Sequence, residues 1–318
     1  MLPPSSASNF AEAAQSVLAF LQKRLGFNLW MVTRTEQDQW IVLHTEDHGY
    51  GIKTGDLFRW TDSFCSRMVQ GKGPRVAPKS AQFEAYRTAP INQTINIGAY
   101  IGVPLIYADG QFFGTLCAID PNPQSEQIVQ ELPLVELMAD LLSRLLQADL
   151  ALEQETRFRE RAQIQAEADA LTELYNRRGW EKVLTLEEQR CRHYGHPAGV
   201  ISLDLNDLKP INDTLGHSAG DNLLQTTAQV LCRECRQEDY IARIGGDEFS
   251  ILMMNADAQS VATLVESLKS ALTTAGINAA IGCGIRHPAF GLSGACEAAD
   301  RAMYANKQRY KQQNAVNP

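Results

Sequence analysis

Tyr240-Ile241-Ala242-Arg243-Ile244-Gly245-Gly246-Asp247-Glu248-Phe249-Ser250-Ile251-Leu252-Met253 is the stretch on which the fold turns. An apolar run stands on each side of two glycines and two acids, which predicts a β-hairpin with Gly245 to Glu248 at its tip. Glycine has no Cβ, so such a tip can turn tightly and approach a ligand closely. Two adjacent carboxylates suit a hard cation such as Mg²⁺, which prefers oxygen ligands. Taken alone, the stretch reads equally well as a Gly-rich hairpin with solvated acids.

Working outward, Ala198-Gly199-Val200-Ile201-Ser202-Leu203-Asp204-Leu205 is an apolar strand with an acid near its end. A buried strand that delivers a carboxylate there makes a natural metal position; Asp204 by itself could equally cap the next turn. Lys209-Pro210-Ile211-Asn212-Asp213 and Gly216-His217-Ser218-Ala219-Gly220-Asp221 follow, then a helical pattern carrying Leu223, Leu224, Ala228 and Leu231. Upstream stands Asp169-x-Leu171-Thr172-x-Leu174-x-Asn176-Arg177. Downstream stand Ala299-Asp300-x-Ala302-Met303-Tyr304 and Lys307.

This ordered series resembles the GGDEF family of diguanylate cyclases. The resemblance implies an α/β sandwich with an antiparallel-rich sheet, and an enzyme that condenses two GTP into cyclic di-GMP with release of pyrophosphate. It places Asp247 and Glu248 at the chemistry, and Asp204, Asp247 and the Leu205 carbonyl around Mg²⁺ (or Mn²⁺). Asn212, His217 and Asp221 are implied at the guanine, Gly245 and Gly246 against the phosphates, and Lys209, Lys307 and Lys311 as further substrate contacts. Arg236-x-x-Asp239 lies where the family has its product-inhibition site for cyclic di-GMP, with Arg243 able to help; guanidinium forks suit phosphate and guanine. Each subunit of the family holds one GTP, so a homodimer is implied. Asn206 and Leu208 depart from the family pattern, as does Tyr310-Lys311-Gln312. The alternative function is a non-catalytic cyclic di-GMP receptor; the intact Asp204, Asp247 and Glu248 weigh against it.

In the first half, Leu29 to Thr35 and Trp40 to His44 flank a polar turn and predict one hairpin. Ala99 to Tyr107 and Phe112 to Asp120 flank Asp109-Gly110 and predict another, with a short helix at Ser63 to Gln70 between. Tyr100-Ile101-Gly102-Val103-Pro104-Leu105, then Gly114-Thr115-Leu116-Cys117, resembles the core of GAF domains, which are ligand sensors and dimerisation modules. A cyclic nucleotide is one ligand this resemblance allows, with Trp60, Phe64, Arg75 and Tyr100 as pocket residues. Ser66 after Cys65 argues against a covalent bilin.

Met138, Leu141, Leu145, Ala148 and Leu152 repeat at spacings of three and four, the seam of a coiled coil. The register weakens beyond it, at Glu155, Arg159, Ala162 and Ala166. The same helix could instead pack on its own sheet. The expected layout is a GAF sensor over 1–133, a signalling helix over 134–170 and a GGDEF cyclase over 171–318. The chain has 318 residues, 44% hydrophobic and 21% charged, with net charge −8. That describes a globular protein without a nucleic-acid-binding balance. The absence of a long apolar run or a basic-then-apolar leader points to a cytoplasmic protein without membrane attachment. Seven scattered cysteines are not a disulfide framework.

Overall fold

Strand alternation sorts the apolar residues of both halves onto two faces each, and the computed structural model shows what covers every face. It describes residues 9–107, 109–164 and 167–316; the side chains of 158, 161–164, 311 and 313–316 lie outside that description. The chain divides into two compact units, residues 1–157 with 193–195, and residues 158–192 with 196–318. No helix of the described residues is long and apolar enough to cross a membrane.

The first unit opens with α1 (Phe10–Leu25). Asn9 starts it by accepting the Glu12 N–H at 3.0 Å, and Gly26 ends it at φ +74°. The strands that follow are β1 (Leu29–Glu36), β2 (Gln39–Asp47), β3 (Leu57–Arg59), β4 (Val76–Ala77), β5 (Ala99–Ile106) and β6 (Phe112–Asp120). They form an antiparallel sheet in the order β3-β2-β1-β6-β5-β4. Both expected hairpins are present, β1–β2 and β5–β6. Trp30, Val32, Ile101, Val103, Leu116 and Ala118 face a core shared with α1 and with α4 (Leu132–Ile164). Their neighbours Met31, Trp40, Tyr100, Cys117 and Ile119 face the other way. That second face is covered by the irregular segment holding α2 (Phe64–Val69) and α3 (Glu84–Arg87).

Helix α4 carries two apolar stripes. Val135, Ala139, Leu142 and Leu146 are buried in the sheet core, as expected of a helix packed on its own domain. Of the expected seam, Leu141, Leu145 and Leu152 are exposed, and Leu137 joins them. Met138 is partly buried against the core. The signalling helix expected over 134–170 is described as helix as far as Ile164, and by Ala168 the chain has left it, since Ala168 pairs with Tyr175 in an isolated bridge. Ala166 and the side chain of Ala162 lie outside the described residues.

The second unit runs α5 (Arg177–Tyr194), β7 (Ala198–Leu205), α6 (Leu208–Leu215), α7 (His217–Glu234), β8 (Tyr240–Arg243), β9 (Glu248–Met254), α8 (Ala258–Thr274), β10 (Ala279–Ile285) and α9 (Gly291–Val316). Its sheet is antiparallel in the order β10-β7-β9-β8. Ile201, Leu203, Phe249, Ile251 and Ile281 face α7 and α8. Val200, Leu252, Tyr240 and Ala242 face α5 and α9. Strand β7 is buried on both faces, which is why it reads as a continuous apolar run.

Close contact lays α9 along β10. A Cβ on Gly282 would come within 2.1 Å of the Met303 nitrogen and 2.2 Å of the Ala299 oxygen. The Asn306 side-chain amide donates to the Ile281 carbonyl at 2.7 Å. Gly282→Ala should therefore push α9 off the sheet and lower the unfolding free energy by about 1–3 kcal/mol, the usual range for overpacking. Urea denaturation reads this directly; an unchanged midpoint would mean that α9 shifts without cost.

Candidate active site

The β7–β9 register sets the geometry of the acids. Asp204 stands directly opposite Glu248, so both side chains leave the sheet on one face. One residue further, the Leu205 N–H donates to the Asp247 carbonyl at 3.0 Å and closes the ladder at the hairpin tip. The three acids thus arrive at one end of the two central strands. Asp204 is buried, and Lys307 of α9 donates to its Oδ1 at 2.5 Å. A Ser202–Asp300 hydrogen bond of 2.6 Å lies on the same strand and helix.

The two tip glycines do different things, and neither sits at a left-handed φ. A Cβ on Gly245 would meet Glu248 Oε2 at 2.5 Å, so this glycine makes room for the Glu248 carboxylate. At Gly246 nothing lies within 4 Å of the Cβ position, which leaves bare backbone facing open space. Arg243, expected to help hold product, is engaged elsewhere. Its guanidinium donates to the Gly246 carbonyl at 2.9 Å and to Asp169 Oδ1 at 3.1 Å. Arg177 Nε also donates, at 3.0 Å, to the Ile244 carbonyl. The tip is therefore held from the segment that enters the unit. Asp169 in turn accepts from the Thr172 hydroxyl at 2.7 Å and the Thr172 N–H at 2.9 Å. Burial raises the Asp169 pKa, and the bonds from Thr172 and Arg243 outweigh it, leaving the carboxyl below its ordinary range.

The residues expected at the guanine lie on the α6–α7 hairpin. Asn212 is half-buried, and its amide occupies the space over Gly220, where a Cβ would meet Asn212 Oδ1 at 2.0 Å. That oxygen is buried without a hydrogen-bond partner, an orphan acceptor of the kind a ligand can satisfy. His217 and Asp221 are exposed on α7, and Lys209 is exposed on α6. The Lys311 side chain lies outside the described residues. A small cluster escaped sequence reading: Asp207 Oδ2 accepts from Asn278 at 3.1 Å and from Tyr310 at 3.3 Å. The departure at Tyr310 thus has a local partner, which only the packing of α9 reveals.

In the Arg236-x-x-Asp239 segment the two charges have separate tasks. Asp239 is buried and accepts the Arg236 backbone N–H at 3.0 Å, shaping the turn. Burial raises its pKa. Arg236 itself is exposed.

In the first unit, Phe64 and Tyr100 line a cavity together with Met31, Trp40, Cys65 and Cys117. Trp60 and Arg75 do not line it. Trp60 packs against the rings of Trp40 and Phe112, and Arg75 pairs with Glu136. The cavity measures about 10 Å³ and has no charged group in its walls. Ligand pockets for small molecules run to ~300 Å³ and more, so this cavity does not match the expected cyclic nucleotide.

Among the described residues, no group of three or more His, Cys, Asp or Glu side chains is placed to hold a metal ion. At the hairpin the donors are fewer and all oxygen: the Asp204 and Asp247 carboxylates and strand-end carbonyls. Such donors fit Mg²⁺, which keeps several waters and takes one or two carboxylates. The Lys307 ammonium against Asp204 shows that a cation is accommodated at this carboxylate.

Comparison with known proteins agrees with this architecture. The family described as "Diguanylate cyclase, GGDEF domain" matches residues 166–313, and the GAF domain family matches residues 9–146. The diguanylate cyclase DgcP of Escherichia coli (strain K12) is 30% identical over 182 residues, covering 56% of this chain and 52% of that protein. An uncharacterized 19.3 kDa protein of Streptomyces ambofaciens is 37% identical over 150 residues, 45% of this chain and 80% of that protein. The solved GGDEF domain of DgcB from Caulobacter crescentus, in complex with c-di-GMP, is 28% identical with a TM-score of 0.43, covering 45% of this chain and 91% of that one. The chain belongs to the GGDEF family, with a GAF domain ahead of the family's namesake domain. It spans about half the length of the first of these relatives.

The depressed Asp169 carboxyl makes the brace sensitive to acid. A group whose folded pKa lies below its unfolded value contributes stability above the unfolded pKa and loses it as pH falls through the folded one. Asp169→Asn should be less stable than the parent at neutral pH, and the gap should close as the solution is acidified below the ordinary carboxylate range. Denaturation midpoints across that range test this; a gap that persists unchanged in acid would remove the charge from the account.

Proposed function

We propose that the chain is a diguanylate cyclase that joins two GTP into cyclic di-GMP, releasing two pyrophosphates. The observation that carries this is the convergence of Asp204, Asp247 and Glu248, by strand register, beside the open backbone of Gly246. The printed names of relatives such as DgcP support it.

In this reading the 3′-hydroxyl oxygen of one GTP attacks the α-phosphorus of the other. A P–O bond forms and pyrophosphate leaves. The reaction repeats in the opposite sense to close the ring. Asp204, Asp247 and the Leu205 carbonyl would hold Mg²⁺ (or Mn²⁺), which when bound lowers the hydroxyl pKa and offsets phosphate charge. Asp247, with Glu248 beside it, takes the proton from the attacking hydroxyl. Gly246 lets the backbone lie against the phosphates. Asn212 and Asp221 read the guanine edge, since a carboxylate accepts from N1–H and N2–H₂ while an amide donates. Lys307, the counter-ion of Asp204 here, has a flexible stem that can turn to the terminal phosphates.

Two GTP-loaded faces must meet, so the enzyme acts as a homodimer. The exposed Leu137, Leu141, Leu145 and Leu152 stripe is the surface through which α4 would pair with a second copy. The GAF unit and α4 would then regulate how often the faces meet.

Turnover of GTP with Mg²⁺, followed as cyclic di-GMP by chromatography, tests this reading. Asp204→Asn or Asp247→Asn should cut the rate by about 100-fold or more without unfolding the protein, as loss of a metal carboxylate does. Binding of cyclic di-GMP with no turnover under any metal would instead establish the non-catalytic receptor.

Exposed Arg236 is proposed as the anchor of product inhibition, with Asp239 shaping its turn. Arg236→Ala should weaken cyclic di-GMP binding by about tenfold or more, as loss of a charge-assisted bidentate contact does. Progress curves would then stay straight as product accumulates. Curves that bend as in the parent would assign inhibition to another site.

A further inference from the structure

Two thiols of the first unit sit in a setting that ordinary core packing does not call for. Cys65, on α2, and Cys117, on β6, are both fully buried and both line the water-sized cavity under the α2–α3 cover. A buried cysteine is usually an inert small hydrophobe, and its sulfur is a weak acceptor. Yet Cys65 Sγ faces several donors at once. The Tyr100 hydroxyl points at it from 3.3 Å and the Thr115 hydroxyl from 3.4 Å. The same Thr115 hydroxyl lies 3.7 Å from Cys117 Sγ, so one side chain touches both sulfurs.

The donors behind Thr115 are aligned in the same sense. Trp40 Nε1–H donates to Thr33 Oγ1 at 2.8 Å, and the Thr33 and Thr115 hydroxyls meet at 2.7 Å. The indole nitrogen can only donate. Thr33 Oγ1 also accepts the Thr115 N–H at 3.2 Å, so both of its acceptor sites are filled and its proton goes to Thr115, whose hydroxyl and carbonyl oxygens lie at 2.7 and 3.2 Å. The Thr115 hydroxyl proton then turns to sulfur. Such a chain polarises its last member. Glycine at 102 is part of the same arrangement: a Cβ there would lie 1.9 Å from the Tyr100 hydroxyl oxygen. Gly102 thus keeps open the place from which Tyr100 reaches Cys65.

The electrostatic outcome separates the two thiols. Burial raises the Cys65 pKa, but the bonds from Cys117, Thr115 and Tyr100 outweigh it, leaving this thiol below its ordinary value. Cys117 is pushed well above its own by its bond to Cys65 and by burial. By contrast, burial pushes Cys235 of the Cys232–Cys235 pair up to about 12.

We propose that Cys65 and Cys117 are a peroxide-oxidisable dithiol, with Cys65 the attacking sulfur and Cys117 the resolving one. The Cys65 sulfur attacks one oxygen of hydrogen peroxide, the O–O bond breaks, and the departing hydroxide takes the Cys65 thiol proton to become water. The Cys117 sulfur then attacks the Cys65 sulfenic acid. An S–S bond forms, the S–O bond breaks, and the hydroxyl leaves as a second water with the Cys117 proton. The two thiols lose two electrons and the peroxide gains them. Room on the scale of one water molecule requires an oxidant as small as hydrogen peroxide. The disulfide would tie α2 to β6 across the cavity.

Treating the reduced full-length chain with hydrogen peroxide, then denaturing and alkylating it for peptide mass mapping, tests the proposal. A Cys65–Cys117 crosslinked peptide, lighter by two hydrogens, should appear before Cys232 or Cys235 is modified. In Cys117→Ser the reaction should stop at a Cys65 sulfenic acid that dimedone traps. Tyr100→Phe, and Gly102→Ala where it folds, should slow Cys65 oxidation by about fivefold or more, with circular dichroism unchanged for Tyr100→Phe. The proposal is overturned if Cys65 and Cys117 stay reduced while exposed Cys232 reacts. It is equally overturned if Tyr100→Phe oxidises at the parent rate.

Discussion

One antiparallel register, Asp204 opposite Glu248, underlies the second unit. Strand side chains alternate with a period of two, so a slip of a single residue would turn every side chain of β7 to the opposite face. The slip would exchange the apolar sets that meet α7 and α8 with those that meet α5 and α9. It would also carry Asp204 away from Lys307 and part the acids of the hairpin. The burial of β7 on both faces therefore fixes the position of a carboxylate at its end. Core packing and site geometry are one constraint here.

Around that register, the site is assembled from contacts made far along the chain. Helix α9 reaches Asp204 because Gly282 lets it rest on the backbone of β10. The hairpin tip keeps its place because Arg243 joins the Gly246 carbonyl to Asp169. Asn212 keeps its orientation because Gly220 leaves a notch in α7. Each of these is a small residue or a single ion pair whose effect lies in where it puts something else.

The sequence made the strands legible wherever alternation or an Asp-Gly turn marked them, as in β1–β2, β5–β6 and β8–β9. It also made legible the acids and amides whose spacing matched a family series. It did not show the partners of those residues. Nothing in local spacing ties Arg243 to Asp169, or Lys307 to Asp204, because both pairs form only when distant segments pack. The GAF cavity failed for a related reason. Trp60 and Arg75 had chemistry suited to a ligand, but Trp60 packs on the rings of Trp40 and Phe112 and Arg75 pairs with Glu136, and apolar Met31 and Ile119 line the cavity with Tyr100. Helix α4 defeated the periodicity differently. Val135, Ala139, Leu142 and Leu146 repeat with the same three-and-four spacing as Met138, Leu141, Leu145, Ala148 and Leu152, and a pattern cannot say which stripe the sheet covers.

That second leucine stripe has a consequence for how a cell could use such a protein. Apolar residues in water on a long helix favour association, and the paired fraction of a weakly self-associating chain rises with its amount. If catalysis needs two copies, output grows faster than linearly with abundance. Transcription and degradation of the chain would then act as inputs to that output.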